Sequence, residues 1–224
     1  MASAVMGLLD PTMITQAASI TNGAIDLLNQ ATNATNQNQV VVVDAKFCAS
    51  SPTDLVVKKM ALGDYEIKNV SGNVVFKVKA EFPYYQGRRV LSDASGVPIL
   101  SMARKLPSAH NRWQVYRGNS KDPREVIFTA KQPSVVQLST EIEVFLVDNK
   151  EENISDYNAK GSLIGRSCTI YKAETNTIIA QNQQKLNISG VVLGRNTFMV
   201  TVYPQVDQAF IAALIVLLDT MCIH

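Results

Sequence analysis

From Val40 onward, hydrophobic and polar residues alternate with a period of two in short segments rich in β-branched and aromatic residues. Turn-forming residues separate these segments at intervals of about eight to twelve positions. This pattern predicts an antiparallel, mainly β sandwich or barrel. Twelve segments are predicted as strands: "VVVVD", "LVVKKMA", "YEIKN", "VVFKVK", "RRVLSD", "VPILSM", "RWQVYRG", "EVIFTAK", "QLSTEIEVFLV", "SCTIYKA", "TIIAQ" and "NTFMVTVYP".

Three stretches share one plan of strand, polar turn and strand, and they predict β-hairpins. Gly72, Gly96 and Asn176 occupy the same position of the turn in the three stretches. Glycine adopts a positive φ without steric cost, and asparagine tolerates it better than most other residues. A phosphate-binding loop is excluded, since it needs more glycines, a Lys-Ser/Thr pair and a following helix. The stretches are "IKNVSGNVVF" (67–76), "LSDASGVPIL" (91–100) and "IYKAETNTII" (170–179).

The first 39 residues differ from the rest and are predicted to be an extension to a single domain at 40–224. Apolar residues at spacings of three and four predict a helix from about Thr12 to Asn29. The uncharged polar stretch "NQATNATNQNQ" (29–39) is typical of a linker. Lys46 is the first basic residue, which argues against a secretory or mitochondrial leader. An accessory helix or a mobile tail is favoured over a cationic membrane helix.

The stretch "QAFIAALIVLLDTMC" (208–222) predicts a C-terminal helix that is apolar on all sides. Fifteen helical residues span about 22 Å, less than the roughly 30 Å of a bilayer core. Asp207 and Asp219 flank the apolar run, and neither belongs in hydrocarbon. The helix is therefore predicted to fill a closed sheet of about twelve strands, with Asp207 capping its N-terminus. A membrane tail anchor is the alternative.

The formal net charge is only +2, yet residues 77–131 hold eleven Lys/Arg against four Asp/Glu, a net charge of +7. Clustered cations favour an anionic membrane surface, and an ordinary charged barrel surface is the alternative. The same cations could contact nucleic-acid phosphates, but no helix-turn-helix, zinc finger or basic region predicts sequence-specific reading of bases. The candidate lipid- or anion-binding residues are Arg88, Arg89, Arg104, Lys105, Arg112, Arg117, Lys121 and Arg124.

No catalytic residue, metal site or cofactor is predicted. Cys48, Cys168 and Cys222 are odd in number and far apart, which predicts reduced thiols and an intracellular protein. A catalytic triad would have to use His110, for which no nucleophile motif is present. The acidic stretch "DNKEENISD" (148–156) lacks the glycine and glutamate positions of an EF-hand loop.

Four stretches resemble the plant LURP-one-related family: "VVVDAKFCA" (41–49), "HNRWQVYRG" (110–118), "GRSCTIY" (165–171) and "VTVYPQVDQAFIAALIVLLD" (200–219). The resemblance covers about 40–224. It implies a tubby C-terminal-like fold, a twelve-stranded antiparallel closed barrel around a hydrophobic C-terminal helix at about 208–222. It also implies likeness to phospholipid scramblases and to membrane-tethered transcription regulators, no established catalytic activity, and a link of some members to pathogen response.

Together, these observations predict a non-enzymatic protein that binds anionic phospholipids, phosphoinositides included, or that acts with a signalling protein in defence. A protein-interaction scaffold without lipid binding is the alternative, followed by a phospholipid scramblase or a DNA-binding regulator. Calcium-triggered scrambling is disfavoured, since Asp207 is the only acid directly before the terminal helix. The expected location is the cytoplasm, including the inner face of the plasma membrane, with the nucleus left open and no transmembrane span.

Overall fold

The structure is a computed structural model, and it describes residues 39–82, 87–108, 111–133, 141–162, 167–182 and 196–221. These residues contain twelve strands and the helix α1 (Gln208–Met221). The strands are β1 (Thr53–Lys59), β2 (Tyr65–Asn69), β3 (Val74–Ala80), β4 (Arg89–Asp93), β5 (Pro98–Arg104), β6 (Arg112–Arg117), β7 (Val126–Lys131), β8 (Glu141–Leu146), β9 (Tyr157–Ser162), β10 (Ser167–Lys172), β11 (Ile178–Gln181) and β12 (Thr197–Val202).

The twelve strands form a closed barrel in which each strand lies beside its neighbour in sequence. The barrel closes between β1 and β12, where Leu55 lies opposite Val200 in an antiparallel register. Inward-facing residues alternate with outward-facing ones, as in β1, where Leu55 and Val57 are fully buried. The predicted mainly β, twelve-stranded antiparallel barrel is confirmed.

Helix α1 occupies the interior of the barrel. Every residue from Ala209 to Asp219 is buried, although a helix of this kind on a protein surface would keep one polar side exposed. The Phe210 ring meets the ring of Phe128 at 5.3 Å and that of Tyr157 at 5.1 Å, both edge to face. The prediction that the apolar C-terminal stretch fills the barrel is confirmed. Within the described residues, no helix is long and apolar enough to cross a membrane.

One predicted strand is wrong, and one observed strand was not predicted. The segment "VVVVD" (40–44) joins no strand of the sheet and forms only an isolated bridge from Val40 to Val206, which follows β12. The backbone N–H groups of Val42, Val43 and Asp44 instead donate to the Asp207 carboxylate, at 3.3, 2.7 and 3.1 Å. Strand β9, "YNAKGS", has too polar a sequence to show the hydrophobic pattern.

Gly161 allows β9 and β10 to approach each other closely. It lies opposite Cys168 with a φ of +131°. A Cβ atom at this position would lie 2.0 Å from the backbone oxygen of Ser167, a distance that no side chain tolerates. Glycine is therefore required for the close approach of the two strands.

The predicted hairpin turns are confirmed. Gly72, Gly96 and Asn176 have φ values of 82°, 95° and 55°, all in the left-handed region. A Cβ atom on Gly72 or Gly96 would meet no atom within 4 Å, so backbone conformation rather than space selects glycine there. The turns join β2 to β3, β4 to β5 and β10 to β11.

The predicted helix at about 12–29 and most of the predicted linker lie outside the described residues. The barrel domain begins with Val40, whose N–H donates to the Gln205 carbonyl at 2.9 Å. We expect a chain that starts at Val40 to melt within a few degrees of the full chain, since all the barrel contacts described here remain. Differential scanning calorimetry of the two chains tests this, and a much lower melting temperature for the shorter chain would contradict it.

Candidate functional site

The two ends of the barrel differ, and α1 distinguishes them. We call the end where α1 begins the lower end, and the end where α1 finishes the upper end. Lys59, the last residue of β1, bonds Asp219 in the last turn of α1, so β1 finishes at the upper end. Because every strand is antiparallel to its neighbours, odd-numbered strands finish and even-numbered strands begin at the upper end.

The topology divides the eight candidate cations between the two ends. Arg88, Arg89, Arg104, Lys105 and Arg112 lie at the start of β4, at the end of β5 or at the start of β6, all at the upper end. Arg117 finishes β6 at the lower end, and Lys121 and Arg124 lie in the β6–β7 connection that follows it. The basic block of the sequence therefore does not form one patch.

Arg88 is buried, with only 7% of its surface exposed. It forms an ion pair with Glu81, and its Nη2 donates to the Asn119 side chain at 2.7 Å and to the Ser120 carbonyl at 3.3 Å. The β6–β7 connection folds back along the outside of the barrel, as shown by the Ser101 hydroxyl, which donates to the Ser120 carbonyl at 2.9 Å. Arg88 thus holds this connection against the barrel and is not available to an external ligand.

Arg89 lies inside the upper mouth of the barrel. Its guanidinium carbon is 5.7 Å from the centre of the Trp113 ring, and its Nη1 donates to the Gly87 carbonyl at 2.9 Å. Gly87 must lack a side chain, since a Cβ atom there would lie 2.8 Å from the Trp113 ring. Burial lowers the pKa of Arg89, and the negative charge of Asp219 opposes that shift.

Asp219 is the centre of a buried polar cluster in the same mouth. Its carboxylate accepts hydrogen bonds from the Tyr65 hydroxyl and from Lys59 Nζ, the latter at 2.7 Å. Burial and the charge of Asp219 raise the pKa of Tyr65 well above its usual range, so the phenol stays protonated and donates. The cluster neutralises a carboxylate that the negative end of the α1 dipole would otherwise destabilise.

Lys59, Tyr65 and Asp219 were not among the sequence candidates. One signal was available: Asp219 stands in the last turn of an apolar helix, where the helix dipole disfavours a negative charge. Such a carboxylate requires a cation nearby, but its partner Lys59 is 160 positions away in the chain. The sequence alone could not identify that partner.

Arg104 and Lys105 are the most accessible candidates at the upper end. Both are exposed, and no acidic partner is found for either among the residues that the structure describes. The backbone N–H of Lys105 donates to the Arg112 carbonyl at 2.9 Å, which fixes this pair at the barrel rim. Arg112 itself is half-buried and forms an ion pair with Glu152.

The other three candidates, in β6 and in the β6–β7 connection, have different surroundings. Arg117 is exposed, and its Nη1 donates to the Val43 carbonyl at 3.3 Å, beside the segment that Asp207 holds. Arg124 is exposed and pairs with Asp122 at 2.6 Å. Lys121 is exposed in the same connection. The ion pair with Asp122 weakens the attraction of Arg124 for an anion.

The described residues contain no group of three or more His, Cys, Asp or Glu side chains placed to hold a metal ion. Burial raises the pKa of the Cys168 thiol to about 12, which keeps it protonated near neutral pH. Cys48 is half-buried, and burial likewise raises its pKa. His110 and Cys222 lie outside the described residues.

Comparisons with known proteins agree on one family. The family model described as LURP-one-related matches residues 53–219. Protein LURP-one-related 15 of Arabidopsis thaliana is 46% identical over 183 residues, covering 80% of this chain and 84% of that protein. Protein LURP-one-related 10 of the same plant is 40% identical over 185 residues, covering 80% of this chain and 95% of that protein. An X-ray structure of an Arabidopsis thaliana protein matches with a TM-score of 0.64 and 39% identity, covering 80% of this chain and 97% of that one. The chain belongs to the LURP-one-related family.

Proposed function

We propose that this protein is a non-enzymatic peripheral membrane protein that binds anionic phospholipids, phosphoinositides included, in a signalling role. The observation that carries the proposal is the adjacent exposed pair Arg104 and Lys105 at the upper rim. The proposed contact surface is the upper end of the barrel, with these two residues as its principal cations.

The upper end suits this role better than the lower end because of its charge. Its acidic residues are neutralised in place: Asp64 pairs with Lys79 at 2.6 Å, Glu81 pairs with Arg88, and Asp219 pairs with Lys59. Arg89 adds a positive charge inside the mouth, close to the rim cations. The lower end, by contrast, carries Asp93 and Glu174 at the β4–β5 and β10–β11 turns, while the acidic β8–β9 connection folds back along the barrel so that its Glu152 pairs with Arg112.

Replacing Arg104 and Lys105 together by glutamine should weaken binding to anionic vesicles by roughly thirtyfold. Each cation close to an anionic membrane contributes about 1 kcal/mol, and two lost contributions correspond to this ratio. The measurement is sedimentation with phosphatidylcholine vesicles that contain phosphatidylserine or a phosphoinositide, repeated over a salt titration. Binding of the unaltered protein should decline as salt rises.

The matched control is Lys46→Gln with Arg124→Gln, which removes the same net charge from two exposed residues at the lower end. We expect this variant to bind vesicles almost as well as the unaltered protein. A control variant that loses more binding than the rim variant would place the contact surface at the lower end. Failure of the unaltered protein to bind any anionic vesicle at low salt would refute the proposal and favour the protein-interaction scaffold.

A further inference from the structure

We propose that the upper end does more than attract lipid headgroups: its loops insert apolar side chains into the bilayer, with Leu62 and Leu106 as the leading residues. This inference rests on the proposed function and names the mode of contact. Among the residues that the structure describes, the exposed large apolar ones in the upper-end connections are Met60 at 45%, Leu62 at 68%, Phe82 at 83% and Leu106 at 68% of their surface.

These residues lie in three connections that follow one another around the barrel rim. They belong to the β1–β2, β3–β4 and β5–β6 connections. Neighbouring strands lie about 4.8 Å apart, so successive connections at one end are separated by roughly 10 Å. Asp64 fixes the first connection to β3, since its carboxylate accepts from the Ala80 N–H at 2.9 Å and pairs with Lys79.

Leu62 has a backbone conformation that its own side chain disfavours. Its φ and ψ are 59° and 16°, in the left-handed region where a leucine is uncommon. Asparagine or glycine would fit this turn better and would avoid exposing apolar surface to water. A leucine that is both strained and exposed contributes little to the stability of the isolated protein, which points to a role in contact with another apolar phase.

The order of charges and apolar residues along the chain matches the layers of a membrane. In "KKMAL" (58–62) and "RKL" (104–106), cations at the strand end directly precede the apolar loop residue. Lys58, Arg104 and Lys105 are exposed. With the barrel end facing a bilayer, these cations reach the headgroups while Leu62 and Leu106 reach the acyl boundary, the arrangement of interfacial membrane segments.

Two exposed apolar residues outside the upper-end connections differ from Leu62 and Leu106, because acidic residues lie beside them. Ile154, exposed at 75%, lies between Glu152 and Asp156 in the β8–β9 connection, which starts at the lower end and folds back along the barrel to Arg112. Val97, exposed at 60%, follows Asp93 in its turn and donates its N–H to the Asp93 carboxylate at 2.9 Å. An anionic bilayer repels such acidic loops. The combination of apolar loop residues and unneutralised cations thus favours a lipid partner at the upper end.

The decisive variant is Leu62→Asn, with Val97→Asn as the matched control at the lower end. Asparagine suits a left-handed turn, so Leu62→Asn should melt at or above the temperature of the unaltered protein. Its binding to anionic vesicles should fall about tenfold, as expected for the loss of one leucine from the membrane interface. At about 1 M salt, where the Debye length is about 3 Å, the difference should persist while charge contributions fade.

The depth of insertion is measured with Leu62→Trp and Val97→Trp on vesicles with brominated acyl chains. Bromine should quench the tryptophan at 62 and leave the one at 97 unchanged, with the unaltered protein giving the background from Trp113. If the protein binds vesicles but Leu62→Asn binds equally well and Leu62→Trp is not quenched, insertion is refuted while the proposed function stands. If the unaltered protein binds no anionic vesicle, both the insertion and the proposed function are refuted.

Discussion

The variant Ile215→Asp should yield almost no folded protein. Ile215 is fully buried in α1, surrounded on all sides by the inner faces of the barrel strands. A carboxylate there either remains charged without a partner, or takes up a proton and still loses its hydrogen bonds to water. Either state costs several kcal/mol beyond the lost isoleucine packing, which is comparable with the whole stability of a typical domain, about 5–15 kcal/mol.

A milder change in the same helix gives a measurable version of this result. Leu214→Ala leaves a cavity at a fully buried position and should reduce the free energy of unfolding by about 2–5 kcal/mol. Leu106→Ala is the matched control, since it removes the same atoms from an exposed side chain and should cost less than about 0.5 kcal/mol. Urea denaturation followed by circular dichroism measures both values.

A chain ending at Val206 provides the opposite test. Without α1, the inward-facing residues of the strands line an empty barrel, and the sheet should lose its cooperative unfolding transition. The measurement is far-ultraviolet circular dichroism together with a melting curve. A shortened chain that remains soluble, shows β structure and melts cooperatively would mean that the helix is not required as the core.

Asp207→Asn should produce the second large effect. The Asp207 carboxylate is fully buried and accepts five backbone N–H groups: Ala209 and Phe210 on one oxygen, and Val42, Val43 and Asp44 on the other. An asparagine amide replaces one acceptor oxygen by an NH₂ group, which faces N–H donors and leaves them unpaired. Buried unpaired groups cost about 1–3 kcal/mol each, and hydrogen bonds to a charged group are the stronger ones.

The expected loss is on the order of 4 kcal/mol, or roughly 10 °C in melting temperature for a domain of this size. Asp44→Asn is the matched control, since Asp44 lies nearby in an exposed turn, where its side chain accepts from the Lys46 N–H at 3.0 Å and pairs with Lys46 Nζ at 3.2 Å. Asparagine caps a turn about as well as aspartate, so this variant should stay within about 1 kcal/mol. Equal losses for the two variants would show that the five N–H groups find other partners.

The sequence predicted most of the barrel because most strands can be identified from the local alternation of apolar and polar residues and from the turn residues between them. The turn at Gly72 follows from one residue and its neighbours, and so does the alternation of Leu55 and Val57. Strand β9 was not predicted because its pairing depends on a close backbone contact at Gly161 rather than on hydrophobic pattern. The segment "VVVVD" was wrongly predicted as a strand because Asp207, more than 160 positions away, takes its N–H groups.

The candidate site was also less predictable, because its geometry depends on contacts between residues that are far apart in the chain. The +7 block is a property of the chain, whereas a patch is a property of the barrel surface. Arg112 and Arg117 are the first and last residues of one strand, β6, and therefore lie at opposite ends of the barrel. The burial of Arg88 depends on the β6–β7 connection folding back along the barrel, which no local pattern indicates. Only the exposed rim pair, Arg104 and Lys105, has the setting that the charge pattern suggested.

The closure of β1 against β12 has a consequence for how the protein is made. Thr53 pairs with Val202, and the helix that fills the interior follows still later in the chain. At a synthesis rate of about 5–20 residues per second, roughly 10–30 seconds pass between the appearance of β1 and that of α1. During this interval the hairpins from β2 onward can form, but their apolar inner faces have nothing to cover them. We therefore expect chaperones that bind apolar β segments to hold the nascent chain until α1 has been synthesised.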